Sequence, residues 1–291
     1  MKPADRRPWV VMRSHNDAPL MGQTLAELAL QTLPFRLAVF DNASSDGTRE
    51  TAHACADLLV DIPAGSYVPG KVLNRAMRIT DGPFVFFLNA DCTPQHPEML
   101  SVLLQCITQT STIAAVFGRQ NPRLDCQQLF AKDTTATYGD GALQAKWRHC
   151  FSMACSCIRR SCWEESPFNE DLQYSEDIEW TWRMRQRGYD IRYAPEAQVF
   201  HSHNYTLKQY YRRHIGEGEA EARIFDWTPW ERSLLRYSLL PYIRQVLSDW
   251  RYCLPRGYIR ATAYSPLLRL AQLFGRRVGF TAGLRKELQQ K

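Results

Sequence analysis

Phe84 to Leu88 is an unbroken apolar run, preceded by Gly82-Pro83 and cut off at Asn89-Ala90-Asp91. A short run of this kind between breakers predicts a strand buried on both faces. Pro94 and Pro97 then stop the strand from continuing. In an open α/β sheet, ligands gather at the carboxyl ends of the strands. Asp91 stands at that end, where a carboxylate holds a metal ion or a polar ligand; an Asp turn is the alternative reading.

The rest of the first half repeats the pattern. Apolar strands are predicted at Trp9–Met12, Leu37–Phe40 and Leu58–Ile62, and helices at Gly22–Leu30, Thr48–Ala56, Lys71–Ile79 and Glu98–Gln109. This alternation predicts an α/β fold with a parallel sheet and right-handed crossovers. Polar clusters follow the first, second and fourth strands: Arg13-Ser14-His15-Asn16-Asp17, Asp41 to Thr48, and Asn89-Ala90-Asp91. They therefore share one sheet edge, the architecture of a nucleotide site.

Further on, Ile113–Phe117 and Phe151–Ile158 read as strands, 120–146 as a long loop with one helix at most, and Arg159–Glu165 as a turn or short helix. A helix to Arg187 opens on Ser175 as N-cap, with Glu176, Asp177 and Glu179 in its first turn and Gly188 as C-cap. Capping alone accounts for such an acidic cluster. Two short strands, Ile191–Tyr193 and Ala197–Phe200, lead into His201-Ser202-His203-Asn204.

Composition narrows the classes. At 45% hydrophobic, 291 residues can bury a full core, and no apolar run approaches the roughly 18 residues of a membrane span. The opening MKPADRRPWVV has no apolar segment, so no signal peptide is expected. None of the nine cysteines forms a CxxC pair, and the cluster Cys150, Cys155, Cys157 and Cys162 matches no zinc spacing. They read as reduced, buried, small hydrophobes of a cytoplasmic protein.

The net charge of +6 is concentrated late in the chain: from Arg223 onward thirteen basic side chains face only Asp226, Glu231, Asp249 and Glu287. Trp227, Trp230, Leu234, Leu235, Leu239, Leu240, Ile243 and Val246 are interleaved with these arginines, Pro241 interrupts any long helix, and a second apolar segment runs Pro266–Phe274. The expectation is a main domain over 1–222 and a basic, amphipathic helical region over 223–291 that lies on an anionic membrane surface. Packing against the main domain, with the arginines merely solvated, is the rival. Nucleic acid ranks last as a partner, since no nucleic-acid motif accompanies the charge.

Four clusters stand in fixed order: RSHND, DNASSDGT, LNADCTP, and YSEDIEWTWRMRQRGYDIRYAPEAQVFHSHN. Together they resemble the family 2 glycosyltransferases of the GT-A fold, over roughly residues 9 to 215. The closing HSHNYTLKQYYRRHIGEG is similar to the bacterial members described as rhamnosyltransferases. The resemblance implies an inverting enzyme that takes a sugar from a nucleotide diphosphate, a dTDP- or UDP-sugar, to a hydroxyl of a lipid-linked or polysaccharide acceptor in cell-surface glycan assembly. It implies nucleoside contacts from Arg13, Ser14, His15, Asp41 and Asn42, and a nucleotide-facing segment at Lys71 and Asn74. The family's DxD reads Asn89-Ala90-Asp91 here, with Asp91 a ligand of Mg²⁺ or Mn²⁺, Asn89 on ribose or sugar, and His201 or His203 completing the metal site. Asp177 matches the general base and Glu176 the residue that orients acceptor or base. The processive Gln-x-x-Arg-Trp motif is not met by Gln144-Ala145-Lys146-Trp147-Arg148, so one sugar per event is expected.

Two rivals remain. A nucleotidyltransferase would carry a glycine-rich basic loop after the first strand, which RSHND is not. A non-catalytic nucleotide-sugar-binding or scaffold subunit is kept open by Asn89.

Overall fold

The apolar runs form β1 (Trp9–Ser14), β2 (Arg36–Asp41), β3 (Leu58–Asp61) and β4 (Phe84–Asn89) in a computed structural model that describes residues 6–139, 141, 144 and 148–290. Expectations resting on residues 1–5, 145–147 and 291 lie outside the described residues. The connecting helices are α1 (Ala18–Ala29), α2 (Thr48–Cys55) and α3 (Pro69–Ile79). All four strands are parallel, in the order β3-β2-β1-β4.

Sheet neighbours explain the β4 sequence. Val85 and Phe87 enter one apolar core, and Phe86 and Leu88 the core on the other face. The period of two that usually alternates apolar with polar is apolar on both sides here.

Beyond β4 the sheet turns mixed. After α4 (Met99–Thr108) come β6 (Ile113–Asn121), β7 (Cys155–Arg159), α6 (Arg160–Glu165), α7 (Glu176–Gln186) and β8 (Asp190–Phe200). β7 runs antiparallel between β4 and β6, and β6 is parallel to β8. The two short strands expected near residue 195 are one strand, with a register shift against Gly118-Arg119 that absorbs the irregularity at Pro195. Pro94 does not end strand structure altogether. Thr93–Pro94 form β5, pairing antiparallel with Phe200 and Val199 at the sheet edge, where proline is tolerated.

The chain divides into two compact units: the first holds residues up to 121, 137–171 and 176–201, the second 122–136, 172–175 and 202 onward. Within the second unit are α5 (Gln128–Thr137, save its last residue), α8 (Leu207–Ile224), α9 (Leu240–Cys253) and α10 (Ile259–Gln290). Pro241 sits in the first turn of α9, where its missing N–H is harmless. Pro266 lies inside α10 without breaking it. Proline cannot bond the carbonyl four residues back, and that carbonyl, Thr262 O, accepts the Trp250 indole N–H instead at 3.2 Å.

Gly275, Gly279 and Gly283, spaced by four, put one bare stripe of α10 against α8. A Cβ on Gly279 would lie 1.9 Å from Ile215 O, and one on Gly283 2.4 Å from Glu219 O. The two helix backbones approach too closely for any side chain. Two arginines of this region are not merely solvated: Arg269 is 1% exposed, and Arg276 pairs with Glu221 at 2.7 Å.

Candidate active site

Parallel register sets the first layer of the site. Ser14 lies opposite Asp41 on β2, and Arg13 opposite Asn89 on β4. Asp41 is fully buried and accepts the Ser14 hydroxyl (3.1 Å), the Ser44 hydroxyl (2.6 Å) and the Ser44 N–H (3.0 Å). His15 donates its Nδ1–H to Asn42 O at 2.6 Å. The loops after β1 and β2 are tied together, with Ser45 N–H donating to the Asn16 side chain and Asp17 N–H to the Thr48 hydroxyl. Asn16 and Ala43 hold left-handed φ of +54° and +49°, a strain found where loops are shaped around a ligand.

Arg13 joins three elements. Its guanidinium donates to Asn89 Oδ1 at 2.9 Å and approaches Glu176 Oε1 at 3.4 Å. Asn89 is thus held by an arginine. Next to Glu176, at the start of α7, Asp177 accepts backbone N–H groups from Met153 (3.0 Å) and Ile178 (2.8 Å). Ser175 is no ordinary N-cap. Its φ of +58° is left-handed, where a capping serine is extended.

These two carboxyls share one arginine and little water. Burial, reinforced by the charge of Asp177, pushes Glu176 up to about 7, against the pull of Arg13. Burial also raises Asp177, but its two backbone donors favour the ionised form. The environments divide the roles: Glu176 retains a proton near neutrality and Asp177 carries the charge.

The second layer comes from the β5–β8 pairing. Just beyond the Thr93–Phe200 pair, Asp91 and His201 meet, with His201 Nε2 3.4 Å from Asp91 Oδ2. His201 Nδ1 donates to Gln120 Oε1 at 2.6 Å, and the Gln120 amide N–H₂ donates to Ser152 at 2.8 Å. This assignment leaves the Nε2 lone pair directed at the carboxylate, the tautomer of a metal ligand. His203 follows two residues further along the chain. Ligand atoms of Asp91, His201 and His203 lie within 4.8 Å of one another. One carboxylate with two imidazoles fits a divalent ion such as Mn²⁺.

The structure redistributes the predicted residues. It brings Arg13, Asn89, Glu176 and Asp177 together, and separately Asp91, His201 and His203. Lys71 is exposed on α3, with no ion pair among the described residues. Asn74 is the correction. Its amide donates to Phe168 O (2.9 Å) and Glu170 (2.8 Å), and its oxygen accepts from Trp163 and the Phe168 N–H, both at 2.9 Å. All four of its hydrogen bonds are used on the segment ahead of α7, and none is left for a nucleotide. Two residues were missed. Gln120 gave no local signal. Asp17, inside the quoted RSHND cluster, is a further acid whose carboxyl is raised by burial and by the nearby charge of Asp91.

Comparison with known proteins gives a consistent result. The family profile "Glycosyltransferase like family 2" matches residues 9–219. The O-antigen chain rhamnosyltransferase WbaN of Salmonella anatum is 30% identical over 196 residues, covering 64% of this chain and 62% of WbaN. RfbN of Salmonella typhimurium, with the same description, is 28% identical over 237 residues, 76% of this chain and 73% of its own. Among solved structures, the mannosyltransferase PcManGT of Pyrobaculum calidifontis, in complex with GDP-Man and Mn²⁺, superimposes with a TM-score of 0.65 at 18% identity, over 94% of this chain and 88% of its own. Glucosyl-3-phosphoglycerate synthase of Mycobacterium tuberculosis, with Mn²⁺ and UDP, gives 0.56 at 18% over 78% and 82%. With its mixed sheet and its ordered clusters, the chain belongs to glycosyltransferase family 2 and has the GT-A fold.

Proposed function

We propose that this protein is an inverting glycosyltransferase that moves a sugar, rhamnose first among candidates, from a dTDP- or UDP-linked donor to a hydroxyl of a lipid-linked or polysaccharide acceptor. The carrying observation is the Glu176–Asp177 pair: two buried carboxyls under one arginine, with the charge favoured on Asp177. Asp177 accepts the proton that the acceptor hydroxyl loses as it attacks the anomeric carbon, in a single in-line displacement. Glu176, held by Arg13, orients the acceptor. Ser14, His15, Asp41 and Asn42 hold the nucleoside, Asn89 the ribose or sugar, and Lys71 a phosphate. Asp91, His201 and His203 would hold a divalent ion, which when bound neutralises charge on the leaving diphosphate. The relatives' rhamnosyl transfer into O-antigen chains supports the donor and acceptor class. We place the enzyme in the cytoplasm, peripheral to the membrane that carries its acceptor; no described helix is long and apolar enough to cross one.

Thermal unfolding against nucleotide diphosphates and nucleotide sugars, each with and without Mn²⁺, tests the donor assignment. A metal-dependent rise with dTDP or UDP compounds is expected, since a ligand of the native state raises its stability. No shift with any of them would turn the reading toward a scaffold subunit, which Asn89 in place of an acid would then explain.

A further inference from the structure

α9 has two apolar faces. Val246 and Cys253 turn inward with Asp249. Outward, Leu239, Ile243, Leu247, Trp250 and Leu254 follow one another at spacings of four, four, three and four, which is one continuous stripe. All are exposed, from 38% at Trp250 to 54% at Leu254. A helix that needs only one apolar face to fold has no structural use for the second. Contiguous apolar surface of this kind marks an interaction site.

The charge around the stripe identifies the partner. Arg236, Arg244, Arg251, Arg256 and Arg260 are exposed beside it. Between Arg232 and Lys286 the only carboxylate in the sequence is Asp249, and Asp249 is fully buried. Within this stretch of chain the stripe is therefore accompanied by cations and by no exposed acid. A second copy of the chain fits badly, because a two-fold contact sets a patch against itself and would oppose arginine to arginine. An anionic bilayer fits both features: leucine, isoleucine and tryptophan enter the headgroup boundary while the arginines meet lipid phosphates.

We propose that the outer face of α9 with its flanking residues Leu239 and Leu254 is the surface by which this protein docks on anionic phospholipid. The inference rests on the peripheral membrane location stated above and goes beyond it in naming the face. It requires neither donor nor acceptor, so its failure leaves the transfer reading intact and the reverse holds too.

The test is flotation of the full chain with vesicles of phosphatidylcholine alone or with about one-third phosphatidylglycerol, at low and high salt. Binding to the anionic vesicles, weakened by salt, is expected. Combined Ile243→Glu and Leu247→Glu should weaken it by roughly tenfold or more, because glutamate removes apolar insertion and repels the headgroups. Arg244→Gln with Arg251→Gln is the milder variant, expected to weaken binding at low salt only. An unchanged melting temperature certifies that each variant is folded. Equal binding to neutral vesicles, no binding to anionic ones, or full binding by the double glutamate variant would overturn the proposal. So would a wild-type dimer in light scattering that Leu247→Glu splits while vesicles are ignored.

Discussion

Two buried ionic clusters, one in each unit, differ in how their charges balance. In the second unit, Arg269 donates to Asp249 (2.7 Å) and Asp133 (2.8 Å), Lys132 reaches Asp249 at 2.7 Å, and the Ser265 hydroxyl and Tyr210 complete the network. Two cations face two acids. Although burial pushes the other way, these partners hold the Asp249 carboxyl below its ordinary value, and they raise the Arg269 guanidinium. In the first unit, among the described residues, Arg13 is the cation set against both Glu176 and Asp177, and both carboxyls are raised. A matched cluster fixes structure and keeps its charges across pH. An undermatched one leaves a proton near neutrality to be moved, which is what a base next to an acceptor hydroxyl requires.

Removing a partner should separate the two most strongly. Arg269→Ala leaves Asp249 buried with Lys132 and Ser265 only, and a loss of about 3–5 kcal/mol in urea unfolding is expected, the cost typical of breaking a buried pair. Adding Asp249→Ala in that background should cost much less than Asp249→Ala alone, because the charge it removes is already uncompensated. Additive losses would mean that the network is not one unit.

The undermatched cluster should respond with the opposite sign. Glu176 titrates at about 7 in the folded chain against an ordinary 4.5. The stability that its protonated form gives is full below pH 4.5 and is lost as pH rises through 7. Glu176→Gln carries no such charge. It should therefore gain about 1–3 kcal/mol on wild type between acid and pH 8, a range set by a shift of this size discounted for coupling. A constant difference across pH would show that Glu176 is not perturbed.

How much of this was legible in the sequence follows from distance along the chain. The β4 strand, the polar clusters at its neighbours' ends and the acidic start of α7 are local patterns, and they predicted the sheet edge. What the sequence hid was pairing. Asn74 meets Phe168 across 94 residues, His201 meets Gln120 across 81, and Arg269 meets Asp133 across 136. No local rule gives such partners. An asparagine in a family motif position therefore read as a ligand contact, and no sequence rule singled out Arg269 as buried. That Pro266 lies inside a helix was hidden for a similar reason, since the Trp250 indole that bonds the Thr262 carbonyl belongs to another helix. The glycines of α10 repeat every four residues in plain view, yet their meaning depends on the backbone of α8.

The central claim is that Asp177 takes the acceptor proton, and one variant tests it most directly. Asp177→Asn keeps the shape of the side chain and its contact with the Met153 N–H through the amide oxygen, but gives up the base. Donor affinity measured by calorimetry should stay near wild type, while single-turnover sugar transfer should fall by about 10²–10⁴-fold. Transfer near the wild-type rate with a folded, donor-binding variant would contradict the assignment and place the base elsewhere.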